Sequence, residues 1–146
     1  MQYSKTKYIR LYEAFCRKDD IDGKEIVATI SGIKVNLKVA TSGDTKAKGF
    51  MGSSEPVDND GMLFVYEIPD ELGFWMKDVE YPLDILFFDE NKVIVDRQTM
   101  DPFNGEADED LKIYRSKYKA MYAVELRSGW YNDNIDFNKG PFKLEF

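Results

Sequence analysis

The stretch Gly73–Asp96, GFWMKDVEYPLDILFFDENKVIVD, decides the fold of this chain. It is the most apolar part of the sequence, and its aromatic and β-branched residues are typical of strands. Pro82 separates FWMKDV from LDILFFDENKVIVD, and the second run predicts a hairpin whose turn falls near Glu90-Asn91. Asn91 is expected to take the left-handed conformation in that turn. The stretch therefore predicts two or three strands of one sheet.

Further strand patterns lie on both sides of this stretch. EIVATI and IKVNLKVA predict a hairpin joined at Ser31-Gly32, and the second run alternates apolar with polar residues. MLFVYEI, YKAMYAVELR and PFKLEF predict three more strands. DTKAKGFMGS predicts a short helix, and SGWYNDN a turn or short helix with Trp130 in the core. We therefore expect a mainly β (β-rich α+β) fold, a compact antiparallel sheet or small barrel with peripheral short helices.

An added amphipathic helix is predicted over residues 5–18. Apolar side chains recur there at three- and four-residue spacing, whereas Arg10, Arg17 and Lys18 lie on the opposite face. Such a helix either packs on its own domain or docks to another protein, and in the second case these three residues are the candidate docking residues. We expect residues 1–24 to form a helical extension and residues 25–146 a single β-rich domain.

Composition excludes several classes of function. The chain has 146 residues, enough for one domain with its own core. It has one cysteine and no histidine, which removes intrachain disulfides, histidine-dependent nucleophiles and the usual zinc sites. The acidic loop at residues 100–112 lacks the spacing of a calcium-binding EF-hand. We therefore expect no metal and no cofactor.

Charge and hydropathy indicate which partners the protein can bind and where in the cell it is expected. The net charge of −7 argues against nucleic acid as a partner, because phosphate binding needs a basic surface. No apolar run approaches the roughly 20 residues of a membrane span. No signal peptide is visible, so the expected location is the cytoplasm or an assembled particle.

The charges set into the apolar stretch are the candidate ligand-binding residues. Lys77 and Asp78 follow Trp75 and Met76. A lysine beside a tryptophan can bind an anion or a sugar carboxylate, or its stem can cover apolar surface while its head reaches water. Asp84 can be a general base or a metal ligand, or it can accept backbone N–H groups that Pro82 leaves unpaired. A site made of Lys77, Asp78 and Asp84 requires that the three side chains converge.

Four runs in order resemble the domain of unknown function 192 family: KGFMGS, GMLFVYE, FWMKDVEYPLDILFFDENKVIV and YAVELRSGW. The resemblance covers roughly residues 33–140 and implies a mainly β, barrel-like domain with short helices. It implies no activity. The family usually has leucine at Phe50, asparagine at Asp78 and an arginine shortly after Met51, where this chain has Gly52-Ser53-Ser54. The apolar framework is kept, so the resemblance implies the same fold but not the same ligand site.

These observations favour a non-enzymatic β-rich domain that binds or docks, with a protein partner or a second copy of the chain. A specific version is a structural component of a larger assembly such as a virus particle. The alternative is a small-ligand or carbohydrate-binding module, or an enzyme that uses carboxylates and lysine. The nine tyrosines and Trp130 could stack on a sugar ring, although Trp130 is expected in the core. No catalytic residue is assigned.

Overall fold

The computed structural model describes residues 21–136, 138–140 and 142–146. The predicted N-terminal helix, with Arg10, Arg17 and Lys18, lies outside the described residues. The described strands are β1 (Glu25–Ile30), β2 (Ile33–Ala40), β3 (Asp60–Asp70), β4 (Gly73–Phe74), β5 (Leu83–Phe88), β6 (Ile94–Met100), β7 (Tyr114–Arg115), β8 (Ala120–Arg127) and β9 (Leu144–Glu145). The described helices are α1 (Gly43–Lys48), α2 (Trp130–Asn134) and a 3-10 helix (Asp108–Asp110).

Seven strands form one curled half-barrel sheet in the order β6-β5-β8-β3-β2-β1-β9. Neighbouring strands are antiparallel except β2 and β3, which run parallel. β9 pairs with β1 and approaches the other end of the sheet through a bridge between Val93 and Lys143. The predicted mainly β, largely antiparallel fold is confirmed. The parallel pair was not predicted, and its crossover connection (residues 41–59) contains α1.

The three central strands β3, β5 and β8 are buried on both faces because alternate residues enter two different cores. The first core contains Leu63, Leu86, Val124 and Trp130, among others. The second core contains Phe64, Phe87, Ala123 and their neighbours. Trp130 is fully buried in the first core, as expected from the sequence, and its indole Nε1 donates to Asn59 Oδ1 at 2.9 Å. Because apolar side chains lie on both faces of these strands, the face that bears the second core must be covered by a second layer of the chain.

The hairpin of β5 and β6 forms as predicted, but its left-handed residue differs from the prediction. Lys92 has a φ of 63°, and Asn91 is not among the residues with positive φ. The cause is Asp89, whose Oδ1 accepts from the backbone N–H groups of Asn91 at 2.9 Å and Val93 at 3.0 Å. This Asx turn places the left-handed residue one position later. The prediction for Asn91 was wrong.

The segment FWMKDV belongs to the second layer and is a strand only at its start. β4 pairs with β7 to form a two-stranded ribbon, and the chain then turns at Asp78, which has a φ of 57°. Phe74 anchors the ribbon on the second core, because its ring centroid lies 5.0 Å from that of Phe64 and 5.8 Å from that of Phe87. The ribbon and α1 together cover the outer face of the central strands.

Both α-helices are short, as predicted. α1 starts after Ser42, whose hydroxyl accepts from the Thr45 backbone N–H at 3.1 Å, and ends at Gly49 with a φ of 47°. Gly49 suits this end because glycine adopts positive φ without a Cβ clash. No helix in the described part of the chain is long and apolar enough to cross a membrane.

Asp22 fixes the start of α1. Its carboxylate accepts from the Thr41 backbone N–H at 2.8 Å, the Ser42 hydroxyl at 2.8 Å and the Thr45 hydroxyl at 2.6 Å. Burial raises the pKa of Asp22, but the hydrogen bonds from Thr45, Thr41 and Ser42 outweigh it and hold the pKa well below its ordinary value. The ionised carboxylate therefore stabilises this corner of the fold.

Candidate functional site

A cleft of about 290 Å³ opens in the second layer, between α1 with the residues that follow it and the segment Gly73–Val79. Its walls are mostly apolar and aromatic, and they include Phe50, Met51, Phe64, Tyr66, Phe74 and Trp75. Its charged lining residues are Lys46, Lys48, Lys77 and Glu125. An apolar concave surface with a few polar groups is the usual setting for a small ligand.

Glu125 is the buried acid of this cleft. It lies on β8 between Met62 of β3 and Ile85 of β5, and both neighbours belong to the second core. Its side chain therefore points to the face of the sheet that the cleft occupies. The residue is 4% exposed, and no hydrogen bond or ion pair of its carboxyl group is found among the described residues. Glu125 is therefore a buried acid that lines the cleft without a partner from the described part of the chain.

Burial sets the protonation of this group. It raises the pKa of Glu125 to about 8, since the ionised form loses water and gains no partner. Burial and the nearby Glu125 charge raise the pKa of Tyr66 to about 12. At pH 7 the Glu125 carboxyl group is therefore mostly protonated, and it can both donate and accept a hydrogen bond.

Two lysines of the cleft lie near aromatic rings of its walls. Lys46 Nζ lies 3.8 Å from the centroid of the Tyr66 ring, and Lys77 Nζ lies 5.6 Å from that of Trp75. Lys77 also forms an ion pair with Asp108 at 2.9 Å, and the hydrogen bond in this pair raises the pKa of Lys77. Lys48 is exposed at the end of α1.

The structure brings three of the five predicted ligand-binding residues together. Trp75, Met76 and Lys77 all line the cleft. Asp78 is exposed in the turn beyond them and does not line it. Its positive φ explains an aspartate or asparagine here, because these side chains tolerate the left-handed conformation.

Asp84 lies on the opposite face of the sheet. On β5 it stands beside Leu126 of β8, which belongs to the first core. Its carboxylate accepts from the Thr99 hydroxyl at 2.9 Å and from the Tyr131 backbone N–H, at the start of α2, at 3.1 Å. One predicted role for Asp84 was to accept backbone N–H groups. It does accept one, but the donor is Tyr131 of α2 and not a residue of the Pro82 turn. The required convergence of Lys77, Asp78 and Asp84 is not observed.

Reasoning from the sequence missed Glu125. YKAMYAVELR predicts a strand, and β8 is that strand. The signal was an acidic residue between Val124 and Leu126 in a run that is otherwise apolar. Glutamate is seldom fully buried without a partner, so its presence in a central strand marks either an ion pair or a site. Lys46 and Lys48 gave no such signal, because lysines in a short surface helix are ordinary.

Comparisons with known proteins identify a family and a fold. The sequence profile of the domain of unknown function 192 family, described as an uncharacterised ACR, matches residues 26–138. A solved protein from Sinorhizobium meliloti 1021, provisionally described as a transcription regulator, has a TM-score of 0.71 and 21% identity, covering 86% of this chain and 96% of its own. A protein of unknown function from Novosphingobium aromaticivorans DSM 12444 has a TM-score of 0.67 and 22% identity, with coverages of 84% and 85%. These two likenesses show the fold alone. Among curated proteins, none matches the chain.

Proposed function

The chain belongs to the domain of unknown function 192 family, and on that premise we propose that it is a non-enzymatic binding domain whose cleft takes a small ligand. The observation that carries this proposal is Glu125. A carboxyl group that is mostly buried without a protein partner destabilises a fold, because it loses most of its hydrogen bonds to water even though its oxygens are not fully enclosed. A ligand that hydrogen-bonds to Glu125 offsets this loss.

The shape of the site supports a small molecule. A volume of about 290 Å³ is close to the lower end of the range for small-ligand pockets. Trp75 is 37% exposed at the wall, so part of its ring is accessible for stacking. The aromatic walls would supply contact area while Glu125 would fix the orientation.

The proposal is tested by screening a library of small fragments with ligand-observed NMR. Fragments that occupy the cleft are expected to bind the wild type and the Tyr118→Ala variant but to lose most of their binding in Trp75→Ala. Tyr118 is a matched control because it is a surface aromatic, 56% exposed, that does not line the cleft. The proposal fails if no fragment binds, or if binding is the same in both variants.

Docking to a protein partner or to a second copy, as in a larger assembly or virus particle, stays a prediction. Its candidate residues Arg10, Arg17 and Lys18 lie outside the described residues. On the described surface, the edge strand β6 is partly covered, because Asp96 Oδ2 accepts from the Lys117 backbone N–H and Gln98 Nε2 donates to the Arg115 carbonyl. Covered edges pair less readily with other chains. Light scattering of the full chain, with and without substitutions at the three basic residues, tests this prediction.

An enzyme built on Asp84, Asp78 and Lys77 has no support in this geometry. Asp84 lies on the other face of the sheet from the cleft, and Asp78 does not line it. General acid-base chemistry requires the acting groups within hydrogen-bond reach of one substrate. The ligand-binding proposal therefore uses Trp75, Met76, Lys77 and Glu125, without a catalytic role for any of them.

A further inference from the structure

We infer that the cleft selects an amphipathic anion: a small molecule with an apolar body, a neutral hydrogen-bonding group that meets Glu125, and an acidic group that meets the lysines around the cleft. This inference rests on the proposed function and narrows it to a class of ligand. Three features support it, namely the charge of the lining, the state of Glu125 and the nature of the walls.

The lining of the cleft is positively charged in an acidic protein. The whole chain has a net charge of −7, yet the cleft is lined by Lys46, Lys48 and Lys77 with Glu125 as the one acidic lining residue among those described. Asp108, which lies outside the lining, forms an ion pair with Lys77 at 2.9 Å, and the Asp78 charge also acts on Lys77, so the charge of this lysine is largely compensated. Lys48 takes part in none of the ion pairs found in the described part of the chain. A local cationic surface in an acidic body attracts anions and repels cations.

Glu125 favours a neutral group at the buried end of the ligand. An ammonium group there would hold its charge away from bulk water beside an acid that is mostly protonated at pH 7. A hydroxyl, carbonyl or ring N–H group needs no such change, because a protonated carboxyl group both donates and accepts. The buried Glu125 thus favours a neutral group, whereas the more exposed lysines favour an anionic one.

The walls of the cleft suit a flat apolar body. Phe64, Tyr66, Phe74 and Trp75 line the cleft, with Met76 beside them. Aromatic rings bind apolar and aromatic bodies through large contact areas and preferred stacking geometries. Lys46 already lies over the Tyr66 ring and Lys77 near the Trp75 ring, so an anion at either lysine would keep its apolar body against an aromatic wall.

The test uses three probes that share one flat body but differ in charge: indole-3-acetate, indole-3-ethanol and tryptamine. Dissociation constants are measured by NMR titration of the full chain at pH 7 and low salt. We expect indole-3-acetate to bind about fivefold more tightly than tryptamine, since a partly exposed ion pair contributes a few-fold and Lys77 already pairs with Asp108. The alcohol should lie between them. High salt should reduce the preference by screening.

Two variants locate the effect. Lys48→Gln should reduce the affinity for indole-3-acetate about threefold and leave that for indole-3-ethanol unchanged. Lys34→Gln, a matched exposed lysine on β2 outside the cleft, should change neither. Thermal unfolding of each variant checks that the fold is intact.

The outcomes separate the ligand class from the site. Tighter binding of tryptamine, or equal affinity for all three probes, overturns the anion class while the binding site stands. If none of the three binds but neutral or cationic fragments occupy the cleft, the class is also overturned. If no fragment of any charge binds in the cleft, the proposed function itself fails.

Discussion

Asp84 and Glu125 lie one residue out of register on the neighbouring strands β5 and β8, and their side chains therefore point to opposite faces of the same sheet. The Asp84 carboxylate has two hydrogen-bond donors, the Thr99 hydroxyl and the Tyr131 backbone N–H. The Glu125 carboxyl group has none among the described residues. Two buried acids thus have different roles: one holds a helix to the sheet, and the other faces a cleft.

Replacing Asp84 should lower stability and leave ligand binding intact. Asp84→Ala removes two hydrogen bonds to a buried carboxylate, so we expect a loss of about 2–3 kcal/mol in the free energy of unfolding, measured with urea. Fragment binding to the cleft should persist in the folded fraction. Asp110→Ala, at an exposed position of the 3-10 helix, is the control and should change stability by less than about 0.5 kcal/mol. A loss for Asp84→Ala as small as the control's would show that its hydrogen bonds are not structural.

Glu125 should make the protein less stable as the pH rises from about 5 to 8. Its pKa is about 8 in the folded chain against its ordinary value of 4.5 in the unfolded one, so between these values only the unfolded state gives up the proton. The unfolded state is therefore favoured by up to about 1.4 kcal/mol for each pH unit. Below the unfolded value the acid is protonated in both states, and this effect is absent.

The measurement is urea unfolding at pH 5, 6, 7 and 8 for the wild type and for Glu125→Gln. Other groups titrate in both proteins and cancel in the difference. The stability of the glutamine variant relative to the wild type should increase with pH up to about 8. Parallel curves for the two proteins would mean that the carboxyl group is ionised in the fold and has a partner.

Asp22 should have the opposite pH dependence. Its pKa is depressed in the folded chain, so its contribution is fully present above the unfolded value of 3.8 and is lost as the pH falls toward the folded value. Asp22→Asn should cost about 1 kcal/mol at pH 7, a typical loss at a helix start. The gap to the wild type should shrink below about pH 4. With Asp110→Asn as the control, a gap that stays constant down to pH 3 would contradict the assignment.

Substitutions of Asp78 should change stability according to how well the new residue tolerates a positive φ, and not according to its charge. Its φ of 57° suits aspartate, asparagine and glycine, whereas a β-branched side chain is strained there. Asp78→Asn should leave stability unchanged, but Asp78→Val should lower it by about 1–2 kcal/mol, measured by thermal unfolding. Equal effects of the two substitutions would show that the carboxylate, and not the turn, is what matters at this position.

The parts of the fold that depend on residues close together in the sequence were predictable. IKVNLKVA alternates because β2 has one buried face over most of its length, and both hairpins are joined by short local turns. The parallel pairing of β2 with β3 was not predictable, because it joins strands separated by a long crossover. The left-handed position moved to Lys92 because a side chain outside the expected pair, Asp89, took the turn hydrogen bonds.

The candidate site was predictable only in part. Trp75, Met76 and Lys77 occupy one continuous segment, so their proximity follows from the chain itself. Asp84 was indistinguishable from a site residue, since its partner Tyr131 lies 47 residues away and on α2. Glu125 belongs to the cleft because β8 pairs with both β3 and β5, and this pairing was not predictable from the local sequence.

The crossover between β2 and β3 forms one wall of the cleft, and this wall contains no strand of the sheet. Residues 46–51 of this connection line the cleft. A connection at the surface tolerates substitution and changes in length better than the strands that it joins. A substitution in this segment would therefore change the lining of the cleft, while the strand pairing that places Glu125 stays the same.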